Sequence, residues 1–366
     1  WISSLRDRKI EDMPVRFLIL ITLFSFRILM PLETANGQVS GDYSLSFDEL
    51  RDSAEYYLNI NPQRSFDFAS LALEQSLKSH NESSEARCYK FLGRINTQLE
   101  QYDIAIDYYN RALKLLSDKD PAMYGIYPEL GRVHELSGKF NTSLYYYSLY
   151  LDRMRQTQNI REEIAARYNL AGVYTKTKDY EKALNEYNRI QELESNRNNS
   201  PGVAAANTMK GEIYLMQNQP EAAIENYKMA AEIADETRDA EAKTKSLRSM
   251  GKAYRQSRQY EEELDVRQQA LASSVEREDI EGQFEDNLMI GEVYMEKQQP
   301  AEAVKYIQKS VDLSEKSGNI EKKSIALKTL SEAYNSQGEF DKALVAYREY
   351  AGTIDSIYTQ RERKLQ

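Results

Sequence analysis

The chain has 366 residues, and its 58 aspartates and glutamates outnumber its 48 lysines and arginines, which gives a formal net charge of −10 at pH 7. This balance argues against general nucleic-acid affinity, because phosphate binding needs a dominant basic surface. Cys88 is the only cysteine, which excludes an intrachain disulfide framework and a thiolate metal site. Proline is scarce and helix-favouring residues fill the chain, so we expect an all-helical protein.

The first 37 residues have the pattern of a secretory signal. Arg16 precedes an apolar run over 17–26, and small residues at 35 and 37 precede Gln38. We therefore predict upstream residues and a signal peptide over 1–37, and hence a secreted or periplasmic protein. Arg27 interrupts the run, and a spanning helix needs about 20 apolar residues, so a retained membrane helix is disfavoured. The remaining alternative is an amphipathic helix that stays with the protein.

Residues 38–84 are predicted to form a polar lead and a degenerate capping repeat. One helix is expected near 45–60 and a second through 66–77, with a break at Asn61 and Pro62. An irregular register is typical of a terminal repeat, which has a neighbour on one side only.

A small residue recurs at a fixed period through the rest of the chain, with one interval of 38 residues followed by five of 40. A second small residue follows twelve positions later in every unit except one, where Glu263 stands. Two small positions a dozen apart indicate that two antiparallel helices cross closely. We therefore predict seven two-helix repeats over 85–358. The periodic residues are Gly93, Gly131, Ala171, Gly211, Gly251, Gly291 and Ser331.

The turn residues between these positions place the helices. First helices are expected near 85–98, 123–136, 162–176, 203–217, 241–256, 282–297 and 322–336, and second helices from 102, 140, 180, 220, 260, 300 and 340. Pro128 should bend or delay the first helix in which it falls. Tyrosines sixteen residues after the small residue are predicted to pack between helices and to keep their hydroxyls at the solvent-exposed edge of the helix layers.

The last helix carries an apolar stripe in which successive members are three, four, three, four and seven residues apart. This pattern is typical of a heptad seam that leads into a coiled-coil linker over 359–366 and a homodimer through the C-terminal helix, and it fits a capping helix equally well. A helix that only caps the array is the alternative, and the charged segment 361–364 is typical of a solvated helix end. The stripe consists of Leu344, Tyr347, Ala351, Ile354, Tyr358 and Leu365.

The repeat resembles the tetratricopeptide repeat, although its period exceeds the 34 residues usual in that family. The pattern is met by Leu92, Gly93, Tyr102, Ala105, Tyr109 and Ala112, and again by Leu170, Ala171, Tyr174, Tyr180, Ala183 and Tyr187. The long form is similar to repeats of bacterial peptide-sensing regulators, large transcription activators and periplasmic sensor regions of histidine kinases. The resemblance implies an all-α, right-handed α-solenoid of about eight antiparallel helix pairs.

Motifs for catalysis are missing from the sequence. It has no phosphate-binding glycine loop, no nucleophile elbow and no histidine pair at metal spacing. His134 stands where other repeats have tyrosine, which favours packing over catalysis. We therefore expect a protein that is not an enzyme and that takes no cofactor and no metal.

In the tetratricopeptide family the first helices line a concave groove. Carried onto this chain, the groove-facing positions are basic in the first, second and fifth repeats, at Arg87, Lys90, Arg94, Arg132, Lys245, Arg248, Lys252 and Arg255. The last three share one helical stripe because they are four and three residues apart. The alternative for such residues is an ordinary solvated helix face.

These features predict a protein- or peptide-binding array with no nucleic-acid partner. The leading hypothesis is the extracytoplasmic sensor region of a bacterial signal-transduction protein whose output domain follows Gln366. A free-standing envelope scaffold or adaptor is one alternative, and an intracellular peptide-sensing regulator is another. An immediate stop codon after Gln366 would contradict the leading hypothesis.

Overall fold

The computed structural model describes residues 45–117 and 120–365, apart from the side chains of 361 and 363–365. Within these ranges the chain forms helices and turns with no β-strand, which confirms the all-α prediction. The described residues fall in two compact parts that meet in sequence between Asn81 and Glu82. The predicted signal peptide over 1–37 and the start of the polar lead lie outside the described residues.

The first part is a pair of packed helices, α1 (Phe47–Tyr57) and α2 (Pro62–Lys78). Ser46 and Glu49 form a capping box, in which the Ser46 amide donates to the Glu49 carboxylate and the Glu49 amide donates to the Ser46 hydroxyl. Asn61 caps α2 and Pro62 opens it, at a position where the missing N–H costs nothing. The break between the two helices therefore lies where the sequence predicts it.

The second part consists of seven two-helix repeats, each packed on the next. Every second helix begins at its predicted residue, because turn chemistry marks that point in each repeat. Repeat 1 is α3 (Glu82–Gln98) and α4 (Tyr102–Leu115); repeat 2 is α5 (Pro121–Tyr124), α6 (Tyr127–Leu136) and α7 (Phe140–Gln156); repeat 3 is α8 (Ile160–Lys176) and α9 (Tyr180–Asn196); repeat 4 is α10 (Ser200–Met216) and α11 (Pro220–Glu236); repeat 5 is α12 (Ala240–Gln256) and α13 (Tyr260–Glu276); repeat 6 is α14 (Ile280–Glu296) and α15 (Pro300–Ser317); repeat 7 is α16 (Ile320–Gln337) and α17 (Phe340–Leu365).

The first helix of repeat 2 is interrupted, as Pro128 predicts. The short α5 ends at Tyr124, and α6 restarts at Tyr127 with Pro128 in its first turn. A proline there needs no intrahelical hydrogen bond from its nitrogen, whereas deeper in a continuous helix it would remove one.

Left-handed turn residues reverse the chain between helices. The turn after α7 is representative: Gln158 has a φ of 54°, the Asn159 amide donates to the Met154 carbonyl at 3.0 Å, and the Gln158 amide donates to the Arg155 carbonyl at 3.1 Å. This is the Schellman pattern that ends a helix and satisfies its last carbonyls. The same conformation recurs at Asn198, Arg238, Glu278 and Gly318, one full period apart.

The periodic small residues allow a large ring to approach the helix backbone. A Cβ at Gly131 would lie 2.5 Å from the Tyr147 ring, and a Cβ at Gly93 would lie 2.6 Å from the Tyr109 ring. Both rings are buried, and the Tyr147 hydroxyl donates to Glu135 at 3.1 Å. Burial, assisted by the Glu135 charge, raises the pKa of Tyr147. The prediction that these tyrosines pack between helices is confirmed at both positions, but it is wrong for Tyr347 on the last helix, which is 55% exposed.

Candidate binding face of the first helices

The first helices of the second part lie side by side. Lys176 of α8 forms an ion pair of 2.7 Å with Glu135 of α6, and Lys322 of α16 forms one of 3.1 Å with Glu281 of α14. Because these bonds join neighbouring first helices directly, positions that repeat along the array share one side of it.

Two rows of exposed or half-buried residues define what we call the first-helix face. One row lies six residues before each small residue and the other directly after it, so the rows are seven residues apart on the same side of each helix. The rows are Arg87, Gly125, Ala165, Ala205, Lys245, Glu285 and Ile325, and Arg94, Arg132, Gly172, Glu212, Lys252, Glu292 and Glu332.

The charge of this face changes along the array. Repeats 1 and 2 carry cations, and repeats 3 and 4 carry the uncharged Ala165, Gly172 and Ala205 together with the acid Glu212. Cations return in repeat 5, and acids occupy repeat 6. The face therefore has two basic sections separated by a stretch with small side chains.

In repeat 1 the predicted site residues are held by local contacts. The Arg87 guanidinium donates to the Ser83 carbonyl at 3.3 Å and to the Ser84 hydroxyl at 3.1 Å. The Lys90 ammonium lies over Gly125 of the next repeat, where an added Cβ would be 2.8 Å from it. The Arg94 guanidinium lies 5.4 Å from the centre of the Phe91 ring, at cation–π range.

Arg248 in repeat 5 links two repeats. It donates to both carboxylate oxygens of Asp286, at 3.0 and 2.8 Å, and to the Ser274 hydroxyl at 2.8 Å. Asp286 lies on α14 and is fully buried. Burial is the largest single influence and opposes the charge of Arg248, but the hydrogen bonds and charge of Asp286, together with the charges of Glu285 and Asp279, raise the guanidinium pKa overall. The bidentate pair is therefore part of the joint between repeats 5 and 6.

Arg255 belongs to a second ionic cluster at the same joint. Its guanidinium donates to Glu263 at 3.0 Å, to Glu292 at 2.6 Å and to the Met289 carbonyl at 3.1 Å. Glu263 is fully buried and also accepts from Arg267 at 3.4 Å. Burial lowers the pKa of Arg267, although the Glu263 charge opposes that change. The sequence marks Glu263 as an exception to the small-residue pattern, but Arg267 and this cluster escaped prediction.

Four of the predicted cations are exposed on the face, and Arg87 among them donates to Ser83 and Ser84. Arg132, Lys245 and Lys252 make no ion pair within the part of the chain that the structure describes. The structure thus divides the predicted basic section of repeat 5 in two. Arg248 and Arg255 hold repeats together, whereas Lys245 and Lys252 face solvent.

A cleft of about 420 Å³ opens beside Lys245 and Arg248. Its cations are balanced by the capping acids of α12 and α14, since Asp279 lies 3.5 Å from Arg277 and 3.9 Å from Arg248. The cleft therefore has no surplus positive charge of its own.

Two further searches covered only the described residues. Among them, no group of three or more His, Cys, Asp or Glu side chains is placed to hold a metal ion. None of the helices between residues 45 and 365 combines the length and the apolar run that a bilayer crossing requires.

Comparison with known families finds tetratricopeptide repeats in three stretches of the chain. One tetratricopeptide-repeat model matches residues 162–236 and 286–351, and another matches 86–116. No curated protein matches the sequence. The matched stretches fall within the seven repeats, so the resemblance seen in the periodic residues is confirmed.

Solved structures share the fold at low sequence identity. Aspartyl phosphate phosphatase F from Bacillus subtilis is 14% identical with a TM-score of 0.52, over 78% of this chain and 75% of that one. The apo quorum sensor NprR from B. thuringiensis is 13% identical with a TM-score of 0.51, over 93% of each chain. A signal-transduction ATPase with a tetratricopeptide repeat sensor from Pyrococcus horikoshii is 14% identical with a TM-score of 0.56, over 90% of this chain and 56% of that one.

The prediction of a secreted or periplasmic protein is wrong. The similar structures, including NprR and phosphatase F, are of cytoplasmic repeat proteins. The apolar run on which the prediction depended lies in residues 1–37, outside the described ranges, so no structural observation supports it.

One of these similar structures is named as a phosphatase, and the expectation that this chain is not an enzyme stays a prediction. The architecture itself is consistent from sequence to structure to comparison. The period, the Gly–Tyr crossings and the matched models all describe the same two-helix unit. Tetratricopeptide repeats are present over residues 86–116, 162–236 and 286–351, and arrays of such repeats serve as protein- or peptide-binding scaffolds.

Proposed function

We propose that the chain is an adaptor or peptide-sensing regulator that holds an extended, acidic segment of a partner along the first-helix face. The observation that carries this proposal is the position of Arg132, Lys245 and Lys252. They are exposed on one face, make no ion pair within the described residues, and flank a section of small side chains.

The small residues between the cations suit a peptide backbone. Gly172 has open space where a Cβ would stand, and Ala165 and Ala205 project only a methyl group from the same side. Leu136 in repeat 2 and Met216 in repeat 4 each lie one helical turn after a residue of the second row. Both side chains are exposed and offer apolar contacts. An extended segment with acidic residues at two places and apolar residues between them matches this order.

The acids of repeats 6 and 7 limit where an acidic segment can bind along the first-helix face. Glu285, Glu292 and Glu332 continue the same rows, so an acidic segment is favoured over repeats 1 to 5 and repelled beyond them. The quorum sensor and the sensor ATPase among the similar structures are regulators by name, which supports a regulatory role over a purely structural one.

The test is selection of peptides from a random displayed library on the purified chain, followed by calorimetric titration of the selected peptides. The test variant combines Arg132→Glu, Lys245→Glu and Lys252→Glu. The matched control combines Lys114→Glu, Arg155→Glu and Lys228→Glu, which reverse three exposed cations on second helices. We expect the test variant to lose affinity by about tenfold or more, because each reversal turns an attraction into a repulsion.

The control variant should bind within about twofold of the native chain, since its charges lie on second helices, away from the face. Selected peptides should be enriched in Asp and Glu. Selection of peptides without acidic enrichment, or equal losses in the two variants, would contradict the proposal.

A further inference from the structure

The last helix of the array leaves exposed an apolar surface at a position that every earlier repeat buries. Tyr347 of α17 is 55% exposed, whereas its counterparts Tyr109, Tyr147, Tyr187, Tyr227 and Ile307 are between 0% and 6% exposed. In the earlier repeats the following first helix covers this position; Tyr147, for example, packs with Leu170 and Val173 of α8. Leu344 and Tyr358 of α17 are exposed as well.

The backbone of α17 does not reverse to bring another helix onto this surface. Left-handed residues end the earlier second helices at Gln158, Asn198, Arg238, Glu278 and Gly318, and the next position in that series is Tyr358. Tyr358 lies inside α17, which runs for 26 residues where α15 has 18 and α13 has 17. The segment after Tyr358 therefore extends along the same axis, and no described residue covers the surface.

We define the C-terminal stripe as Leu344, Tyr347, Ala351, Ile354 and Tyr358. Their alternating spacing of three and four residues forms a seam along one side of α17. This is the seam of two helices that cross at a shallow angle, so the shape of the stripe fits a second helix better than a compact domain.

Charges beside the stripe are complementary to those of a second copy. Arg348 and Asp355 are exposed, have opposite signs and make no ion pair within the described residues. The point midway between them lies at Ala351 and Gly352. If two α17 helices pair antiparallel about that point, Arg348 of each copy lies across from Asp355 of the other. The same register places Leu344 within about one residue of the position opposite Tyr358, and Tyr347 within about two residues of the position opposite Ile354.

We propose that the C-terminal stripe binds a second copy of this chain, with the two α17 helices antiparallel. The contact is isologous, so each Arg348–Asp355 pair is formed twice about a two-fold axis. The seam covers only about two heptads, fewer than the three or four of a stable coiled coil, so we expect a dimer with a dissociation constant in the micromolar range, about 1–100 µM.

Sedimentation equilibrium of the full chain, from low to high micromolar concentration, tests this proposal. The native chain should shift from monomer to dimer. The variant Tyr347→Glu with Tyr358→Glu should remain monomeric. The matched control, Val345→Glu with Ser356→Glu, places two charges on exposed positions of the same helix outside the stripe and should dimerise like the native chain.

A charge exchange tests the antiparallel register. Arg348→Asp alone should weaken dimerisation by about tenfold, because it sets two acids against each other at both ends of the contact. Adding Asp355→Arg should restore the native dissociation constant. Circular dichroism confirms folding, which we expect in every variant since all substituted side chains are exposed.

Three results would overturn the proposal. A native chain that is monomeric throughout leaves the stripe to another occupant. A dimer that persists in the tyrosine variant forms through another surface. Failure of the charge exchange to restore binding excludes the antiparallel pairing.

Discussion

Repeats 2 and 5 solve the same packing problem with different chemistry. In repeat 2 the Tyr147 ring lies against Gly131, and the second small position is Ser143. In repeat 5 the ring is replaced by Arg267, whose Nε would lie 2.8 Å from a Cβ at Gly251, and the second small position is replaced by Glu263. The glycine is kept in both, because either side chain must approach the helix backbone.

The difference teaches that the two exchanges in repeat 5 depend on each other. A buried tyrosine contributes apolar area and needs only a partner for its hydroxyl. A buried arginine is tolerated only with a carboxylate, since each charge alone would lose its hydration without compensation. Glu263 is that carboxylate, and Arg255 of α12 pairs with it as well.

The largest expected effect comes from breaking this pair in repeat 5. Glu263→Ala restores the small residue of the other repeats but leaves Arg267, which is 3% exposed, without a carboxylate. We expect the free energy of unfolding to fall by about 3–5 kcal/mol, measured by urea denaturation.

The double substitution Glu263→Ala with Arg267→Tyr converts repeat 5 to the chemistry of repeat 2. It should recover most of the lost stability, because the ring then lies over Gly251 as Tyr147 lies over Gly131. If the double variant is no more stable than Glu263→Ala, the two positions are not coupled and the comparison fails.

A smaller effect is expected from closing the glycine crossing in repeat 2. Gly131→Ala places a Cβ 2.5 Å from the Tyr147 ring, so the helices must move apart. We expect a loss of about 1–3 kcal/mol by the same denaturation measurement.

Gly172→Ala is the matched control, since it lies in a first helix with open space around the added Cβ. It should be neutral or should stabilise by up to about 1 kcal/mol through helix propensity. Equal losses at Gly131 and Gly172 would show that contact with the ring is not the reason for the small residue.

The smallest effect concerns His134, which occupies a tyrosine position in repeat 2. It stacks on Tyr146 with ring centres 5.6 Å apart, and burial, with a smaller contribution from Lys139, lowers its pKa below 6.5. The folded state thus binds a proton less readily than the unfolded state, so this contribution to stability is present above pH 6.5 and is lost as the pH falls below it.

His134→Tyr should make the repeat independent of this titration. Denaturation midpoints at pH 7.5 and pH 5.5 would be compared, and the fall for the native chain should exceed the fall for the variant. Identical falls in the two proteins would exclude His134 as the titrating group.

The architecture could be predicted from the sequence because its signals are local and repeated seven times. The helix start at Tyr102, the break at Asn61 and the interruption at Pro128 all follow from residues within a few positions of each event. The left-handed turns at Gln158 and Arg238 could not be predicted from the residue types, because Gln and Arg do not prefer that conformation. The packing of the repeats imposes it on them.

The candidate site was predictable only in part, because its contacts are long-range. Arg248 and Lys252 are both cations on one helical stripe, yet Arg248 binds Asp286, which is 38 residues away, and Lys252 faces solvent. No periodicity within α12 distinguishes them. The partner of a charged residue lies in the next repeat, and its identity depends on that repeat's own exceptions to the pattern. The role of the exposed cations in binding stays a prediction.

The bonds across the joint between repeats 5 and 6 have a consequence for how this array grows or shrinks. The ion pairs Lys176–Glu135 and Lys322–Glu281, which cross other joints, each keep one exposed member, so losing a partner there buries no lone charge and forty-residue units can be duplicated or lost. Repeats 5 and 6 divide their ion pairs between them, with Arg248 and Arg255 on one side and Asp286 and Glu292 on the other. Deleting either repeat alone would leave a buried charge without its partner. We therefore expect the two repeats to be inherited together, as one eighty-residue module.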